Sequence, residues 1–438
     1  MSEKIVIKGG KQLNGEVNIG GAKNAVLKLM AASILLDDIC EIHNVPDLAD
    51  VDTMIEVISH LGARVEYNRE KSFLVIDARH LNNFEACYEL VSKMRASFIV
   101  LGALLGRCKE ARVALPGGCA IGERRIDLHV KGLEALGAQV KIESGYVVAK
   151  AGKLTGAEIH LDRPSVGATE NLMLAAVLAE GSTIINNAAQ EPEIVDLANF
   201  LNAIGADVTG AGTSEIIING VKTKDLHSAV YTTMPDRIEA GTYMAAIVAT
   251  RGSAIIKNVF PSNLSAVTSK LSDMGALVTV IDPFSIEVSC AGRPKAVDIV
   301  TQPYPGFPTD LQSPLMSVLT ISKGISIITE SIYENRFRQV GELRRMGADV
   351  QQEGNHAIVR GVKHLTGTQI KASDLRAGAS LIVASLCANG ISEIENLHHI
   401  DRGYEKLVEK LSLLGADIKR VPTTGQENSQ QNFSEIKI

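Results

Sequence analysis

The 438-residue chain has no tryptophan, and only nine phenylalanines and eight tyrosines. Proteins that read RNA or single strands stack bases on aromatic rings, so the shortage argues against a nucleic-acid partner. Positive charge is not in excess either. Forty-four lysines and arginines face 50 aspartates and glutamates, a net charge of −6, which removes any general attraction to phosphate backbones. An anionic small molecule would need arginines placed locally. No run of about 18 apolar residues occurs, so no membrane insertion is expected. The opening MSEKIVIKGGKQ lacks the apolar core of a secretory signal. Six cysteines (Cys40, Cys87, Cys108, Cys119, Cys290 and Cys387) stand far apart without a CxxC pair. That spacing fits neither a disulfide framework nor a zinc site and points to a reducing, cytoplasmic setting. All of them except Cys119 read as buried, inert thiols.

What the chain does have is a repeat. Leu61-Gly62-Ala63, Leu136-Gly137-Ala138, Ile204-Gly205-Ala206, Met274-Gly275-Ala276, Met346-Gly347-Ala348 and Leu414-Gly415-Ala416 follow one another at intervals of 75, 68, 70, 72 and 68 residues. Each closes a segment with apolar residues three and four apart, as in VDTMIEVISHLGA, and puts glycine where a left-handed helix end needs it. A short alternating run follows each signature (RVEY, QVKI, DVTG, LVTV, DVQQ, DIKR) and reads as a strand. A second helix recurs at the same period: AKNAVLKLMAASIL, RASFIVLGALLG, GATENLMLAAVLAE, AGTYMAAIVATR, LQSPLMSVLTIS and RAGASLIVASLCA. These are apolar nearly all round, so they must be buried on every side. The expected unit is a strand, a buried helix, a strand, an amphipathic helix and a further strand or hairpin. Six such units exceed one core, since single cores stop growing near ~250–300 residues. The natural division is α/β, two domains of three units each, helices at the centre and sheets outside. The polar stretch from Val421 to Ile438 carries no repeat and is expected to be disordered.

The starts of the buried helices carry polar groups: Lys23 and Asn24, Arg95, Thr169 and Glu170, Asp236 and Arg237, Thr309 and Asp310, Asp374 and Arg376. Capping accounts for the Asp, Ser and Thr residues. It does not account for Lys23, Arg95 and Arg376, whose charge opposes the helix dipole at that end unless an anion lies between. Asp310, between the prolines of PGFPTDLQSP, reads as a cap or a base. Arg336 and Arg402 occupy equivalent loops and read equally as surface salt bridges or as ligand contacts. Glu191 and Glu193 flank Pro192 at a helix start, where the dipole explains them. His129 reads as a surface imidazole in the first turn of a helix.

Loops leading into the amphipathic helices permit a comparison within the chain. Five are similar in length, whereas LPGGCAIGERRIDLH, Leu115 to His129, is longer by roughly five residues. Extra loop length is cheap, but glycines around a thiol and arginines suit a functional loop. Cys119 reads as a structural thiol or as a reactive one, and the comparison favours the second.

The motifs GAKNA (21–25), MRAS (94–97), LPGGCAIG (115–122), SVGAT (165–169), EPEIVD (191–196), MPDRIEAGT (234–242), FPTDLQ (307–312), ENRF (334–337), DLRA (374–377) and HIDRGYE (399–405), in this order, make the chain resemble the UDP-N-acetylglucosamine enolpyruvyl transferases. The resemblance spans Lys4 to Arg420. It implies a two-domain inside-out α/β barrel of six repeats, with residues 23–233 as one domain and 1–22 plus 234–420 as the other. It implies transfer of the enolpyruvyl group of phosphoenolpyruvate to the 3′-hydroxyl of UDP-N-acetylglucosamine, the first committed step of peptidoglycan synthesis, without metal or organic cofactor. By motif match Cys119 is the acid toward C3 of phosphoenolpyruvate, and Asp310 takes or orients the hydroxyl proton. Lys23, Arg124 and Arg402 are the phosphoenolpyruvate clamps, with Arg336 and Arg376 near its carboxylate. Asn24, Arg95, Arg124, Arg125, Ile126, Asp127, Leu128, Arg163, Pro164, Ser165, Val166, Asp310 and Ile332 match the nucleotide-sugar contacts. The resemblance also implies covalent inhibition at Cys119 by fosfomycin, since relatives with Asp there resist it. Glu123, Arg125 and Pro164 depart from the commoner pattern at positions where Ala, Pro and a β-branched residue are frequent.

Two other readings of the residues stand beside this one. One is the sister reaction, enolpyruvyl transfer to shikimate 3-phosphate, and the other is a non-catalytic repeat scaffold such as a ring-type clamp. A DNA clamp would line one face with lysine and arginine, against which the net acidity speaks.

Overall fold

The computed structural model describes residues 3–115 and 126–423. Six four-stranded sheets occupy these residues, all with one topology. In the third, strand Glu158–His160 runs parallel to Ser182–Asn186, which pairs antiparallel with Glu215–Asn219, which pairs antiparallel with Asp207–Thr209. The parallel pair requires a crossover, and the buried helix Val166–Ala176 supplies it. The amphipathic helix Pro192–Ala203 then covers the sheet. The expected unit is therefore present six times.

Each amphipathic helix stops where the repeat signature says it should. Gly62, Gly137, Gly205, Gly275, Gly347 and Gly415 all adopt positive φ, between 90° and 107°, a conformation that a Cβ penalises. The inner helices are enclosed, and all 14 residues of Arg237–Thr250 are buried. Small residues let them meet backbone to backbone. A Cβ on Gly102 would lie 2.2 Å from the Asn171 carbonyl oxygen of the neighbouring inner helix. Ser317 Oγ bonds Ser380 Oγ at 2.7 Å where two further inner helices touch. Gly102→Ala should therefore lower stability by about 1–3 kcal/mol, read from the urea midpoint, by forcing those helices apart.

Two large hydrophobic cores result. One gathers residues between Val26 and Leu226. The other joins Ile5, Ile7, Leu13, Val17 and Ile19 to residues between Ile238 and Ile418. The chain begins in the second core: strand Glu3–Lys8 sits between Ile391–Glu395 and Asp417–Pro422, and Asn14–Asn18 edges Ser253–Lys257. It crosses to the first core at Lys23, where strand Val230–Thr232 later completes the opening sheet beside Ile39–His43. The outgoing and returning segments are bonded to each other, Ala22 N to Met234 O at 2.7 Å and Asp236 N to Gly20 O at 2.9 Å.

One expectation changes at the chain's end. Val421 and Pro422 are not part of a polar tail but continue the last strand, opposite Lys4 and Glu3. Ile418 and Val421 are separated by two charged residues, so the period-two pattern of a strand is absent there. No helix among the described residues is long and apolar enough to cross a membrane.

Candidate functional site

Where the two cores meet, the inner-helix starts deliver their charged residues to a common place. Asp374 caps the Leu375–Cys387 helix, accepting from Arg376 N and Ala377 N at 3.0 Å each, and so orients Arg376 at the helix mouth. Asp236 caps Arg237–Thr250 and also accepts from Lys23 N, at 3.2 Å, across the crossing. The caps expected at these two starts are present.

Asp310 is not a cap. Its Oδ1 accepts from Arg336 Nη2 at 2.5 Å, and its Oδ2 accepts from Arg376 Nη2 at 2.8 Å and Nε at 3.1 Å. Burial alone would raise this carboxyl, but the Arg376 and Arg336 guanidiniums outweigh it and hold the group well below the carboxylate range. A quarter of the Asp310 side chain is still exposed, against 3% for Arg336. Arg336 is thus a buried cation and not a surface partner, and its Nε and Nη1 have no acceptor among the described residues. Arg376 Nη1 also donates to Tyr404 Oη at 3.1 Å, which bonds Thr242 Oγ1 at 2.9 Å.

Lys23 and Arg402 come together on Asp50. Lys23 Nζ donates to Oδ2 at 3.2 Å and Arg402 Nε to Oδ1 at 2.8 Å. Burial lowers the Lys23 pKa, Asp50 opposes the fall, and Arg376 and Arg402 add to it. Asp310 also acts on Lys23 and on Arg237, so these groups share one electrostatic site. The anion expected beside the misplaced helix-start cations is supplied, for Lys23 and Arg376, by the chain's own carboxylates. Arg402, 37% exposed, keeps an open side.

A second group lies around the start of the Asp127–Ala135 helix. Ile126, Asp127 and Leu128 open it, and Arg163, Pro164, Ser165 and Val166 lead into Val166–Ala176. An exposed pair, Arg163 Nη2 to Asp127 Oδ1 at 3.1 Å, ties the two segments. It holds position more than it stabilises. Ser165 caps the following helix through Ala168 N. Arg95 opens the 3-10 turn Arg95–Ile99 and acts on His129. That histidine is not a surface imidazole. It is 6% exposed, meets Phe98 edge-on, and its Nδ1 accepts from Asn171 Nδ2 at 3.0 Å. Burial, aided by Arg95, pushes it down to about 4, so it is neutral near pH 7. Asn24 is the second residue of Lys23–Ser33. Ile332 N donates to Glu330 Oε1 at 2.9 Å. Cys119, Arg124 and Arg125 lie outside the described residues.

Glu193 is more than a complement to a helix dipole. Its two oxygens accept from Arg237 Nε at 3.0 Å and Nη2 at 3.1 Å, a forked pair from one core to the other. The sequence reading missed this pairing, and it missed Asp50 and Tyr404. A lone acid in a helix's first turn is commonplace, and partners 352 residues apart leave no local signal. Among the remaining thiols only Cys40 and Cys290 are buried, while Cys87, Cys108 and Cys387 are intermediate. Their places at element ends, where an apolar face meets solvent, explain the difference. Burial still pushes Cys40 up to about 11 and Cys387 to about 12, which leaves little thiolate at neutral pH.

The fold is shared with enolpyruvyl transferases. The enolpyruvyl transferase NikO from Streptomyces tendae superposes with a TM-score of 0.86 at 26% identity, over 96% of this chain and 99% of that one. EPSP synthase from Acinetobacter baumannii, at 18% identity and a TM-score of 0.72 over 96% and 100% of the two chains, has the same fold. The family model of EPSP synthase (3-phosphoshikimate 1-carboxyvinyltransferase) matches residues 7–411. A UDP-N-acetylglucosamine 1-carboxyvinyltransferase of Gloeobacter violaceus is 54% identical over 95% of this chain and 90% of its own. One of the same name, numbered 1, from Caldanaerobacter subterraneus is 51% identical over 96% and 100%. The chain belongs to the EPSP synthase family and, within it, groups with the UDP-N-acetylglucosamine 1-carboxyvinyltransferases.

Proposed function

We propose that the chain transfers the enolpyruvyl group of phosphoenolpyruvate to the 3′-hydroxyl of UDP-N-acetylglucosamine, releasing phosphate, as the first committed step of peptidoglycan synthesis in the cytoplasm. The observation that carries this reading is the convergence of Lys23, Arg336, Arg376 and Arg402 on two carboxylates between the cores, in a chain half identical to proteins of that name. Such a preorganised cationic enclosure favours charge that develops in an addition–elimination. The hydroxyl oxygen adds to C2 of phosphoenolpyruvate while a proton reaches C3, and the tetrahedral adduct then loses phosphate and a C3 proton.

Lys23, Arg402 and Arg124 are assigned to phosphoenolpyruvate, with Arg336 and Arg376 at its carboxylate. The two buried donors that Arg336 leaves without an acceptor support that placement. Asp310, depressed by its two arginines, first orients the acceptor hydroxyl, and becomes a better base as Arg336 and Arg376 turn to the substrate. The segments 126–128 and 163–166, with Asn24, Arg95, Arg125 and Ile332, are assigned to the nucleotide sugar. Residues 23–233 and 1–22 plus 234–420 are assigned as the two domains, and each set draws residues from both. Cys119 is assigned as the acid.

Phosphate release from phosphoenolpyruvate is expected with UDP-N-acetylglucosamine and not with shikimate 3-phosphate; the reverse result would end this reading. Fosfomycin should abolish turnover with one thiol alkylated per chain, at Cys119. Cys119→Ser should lower kcat by about 10²-fold or more, and full turnover in that variant would remove its role as acid.

A further inference from the structure

Asp50 belongs to none of the sequence motifs, yet its two oxygens are divided between the cores. The side chain is 4% exposed. Lys23, its partner at 3.2 Å, opens the first inner helix of the first core, and Arg402, its partner at 2.8 Å, comes from the turn after Leu397–His399 in the second core. The neighbouring backbone is docked at the same point. Ala49 N donates to Asp401 O at 3.2 Å and Asp47 N to Glu405 Oε1 at 3.1 Å. Asp50 is the second residue of the Ala49–His60 helix, where the dipole favours an acid. Burial disfavours the charged carboxylate, but Lys23 and Arg402 outweigh it, and the helix start works in their sense.

We propose that Asp50 is a positioning residue of the phosphoenolpyruvate seat, holding Arg402 of the second core beside Lys23 of the first. The inference rests on the reading of Lys23 and Arg402 as phosphoenolpyruvate clamps. A carboxylate beside two cations has two opposed effects. It offsets part of their pull on an incoming anion, which alone would make Asp50 a competitor. It also fixes both cations and opposes every other influence on Lys23 but one. Lys23 is faced by Asp50, Asp310, Arg376 and Arg402, and its backbone N–H by Asp236. Burial and both arginines disfavour the ammonium, and Asp50 is the strongest opposing group. Without it the lysine tends to shed its proton and Arg402 loses the acceptor of its Nε, so the loss of cations in register outweighs the relief from competition.

The test is steady-state kinetics of the full chain as a function of pH, with wild type, Asp50→Asn and Asp50→Glu, after thermal melts have shown that each is folded. Asp50→Asn should raise KM for phosphoenolpyruvate at least about tenfold, leave KM for UDP-N-acetylglucosamine within about twofold, and move the alkaline limb of kcat/KM for phosphoenolpyruvate to lower pH. Asp50→Glu, which keeps the charge but displaces it, should raise KM for phosphoenolpyruvate about threefold or more with the alkaline limb left in place. An unchanged or lowered KM for phosphoenolpyruvate in either variant overturns the proposal. An unmoved limb in a folded Asp50→Asn does so too. If Asp50→Asn does not fold, Asp50→Glu decides alone. Wild-type turnover is measured first. If it fails, the functional reading falls; if it succeeds and the variants match it, the role of Asp50 alone falls.

Discussion

Asp310→Asn is expected to lower kcat by about 10³-fold. Two consequences act together. The acceptor hydroxyl loses the group that orients it and draws its proton. Arg336 and Arg376, 3% and 4% exposed, lose the carboxylate they share, and the amide that replaces it can accept through one oxygen only. Separate kcat and KM values check this, and activity above about a tenth of wild type would exclude Asp310 from the chemistry. The same carboxylate makes a signed prediction about acid stability. Its folded pKa lies below the unfolded value of about 3.9, so its contribution is complete above that pH and is lost as pH falls through the depressed folded value. Asp50, depressed by Lys23 and Arg402 against the effect of burial, behaves in the same sense. Wild-type stability should therefore fall away below about pH 4, and Asp310→Asn should show a shallower fall there.

Arg237→Met should remove about 3–5 kcal/mol of stability. Arg237 and Glu193 have side chains 10% and 5% exposed. Deleting the guanidinium leaves a carboxylate enclosed between the cores without its forked partner. Burying the thioether recovers little of that, because the penalty comes from the abandoned charge and not from lost volume. The double variant Arg237→Met with Glu193→Gln should regain most of the loss, since both charges are then gone. Urea denaturation of the two variants and wild type checks this. If the single variant costs less than about 1 kcal/mol, the pair is only as important as one on the surface.

How far sequence alone reached follows from which forces act locally. The repeat signature located all six outer helices because a left-handed glycine and a one-sided apolar stripe are properties of adjacent residues. The inner helices followed because a segment apolar all round has nowhere to go but inside. Strand order did not follow. Nothing near Ile5 says that it pairs with Ile394, and the placement of residues 1–22 with the C-terminal units came from the family resemblance. The site divides in the same way. Lys23 and Arg376 stood out because their charge contradicts the helix dipole, and the contradiction is local. Asp50, Glu193 and His129 were passed over because each suits its own helix perfectly well. Their roles arise only through Arg402, Arg237 and Asn171, which the fold brings from other elements.

The pairing of Glu3–Lys8 with Ile391–Glu395 also sets a timetable. Lys4 and its partner Glu393 are 389 residues apart, so at about 5–20 residues per second of synthesis the first strand waits about 20–80 s for its neighbours to be made. Within that interval the first core has all its strands in hand once Thr232 is out, and can close while Glu3–Lys8 remains without a sheet. Strand Asp417–Pro422, made later still, then has Glu3–Lys8 already available as its partner. The strand Glu3–Lys8 therefore stays unpaired until Ile391–Glu395 has been made, and closure of the second core is a late step of synthesis.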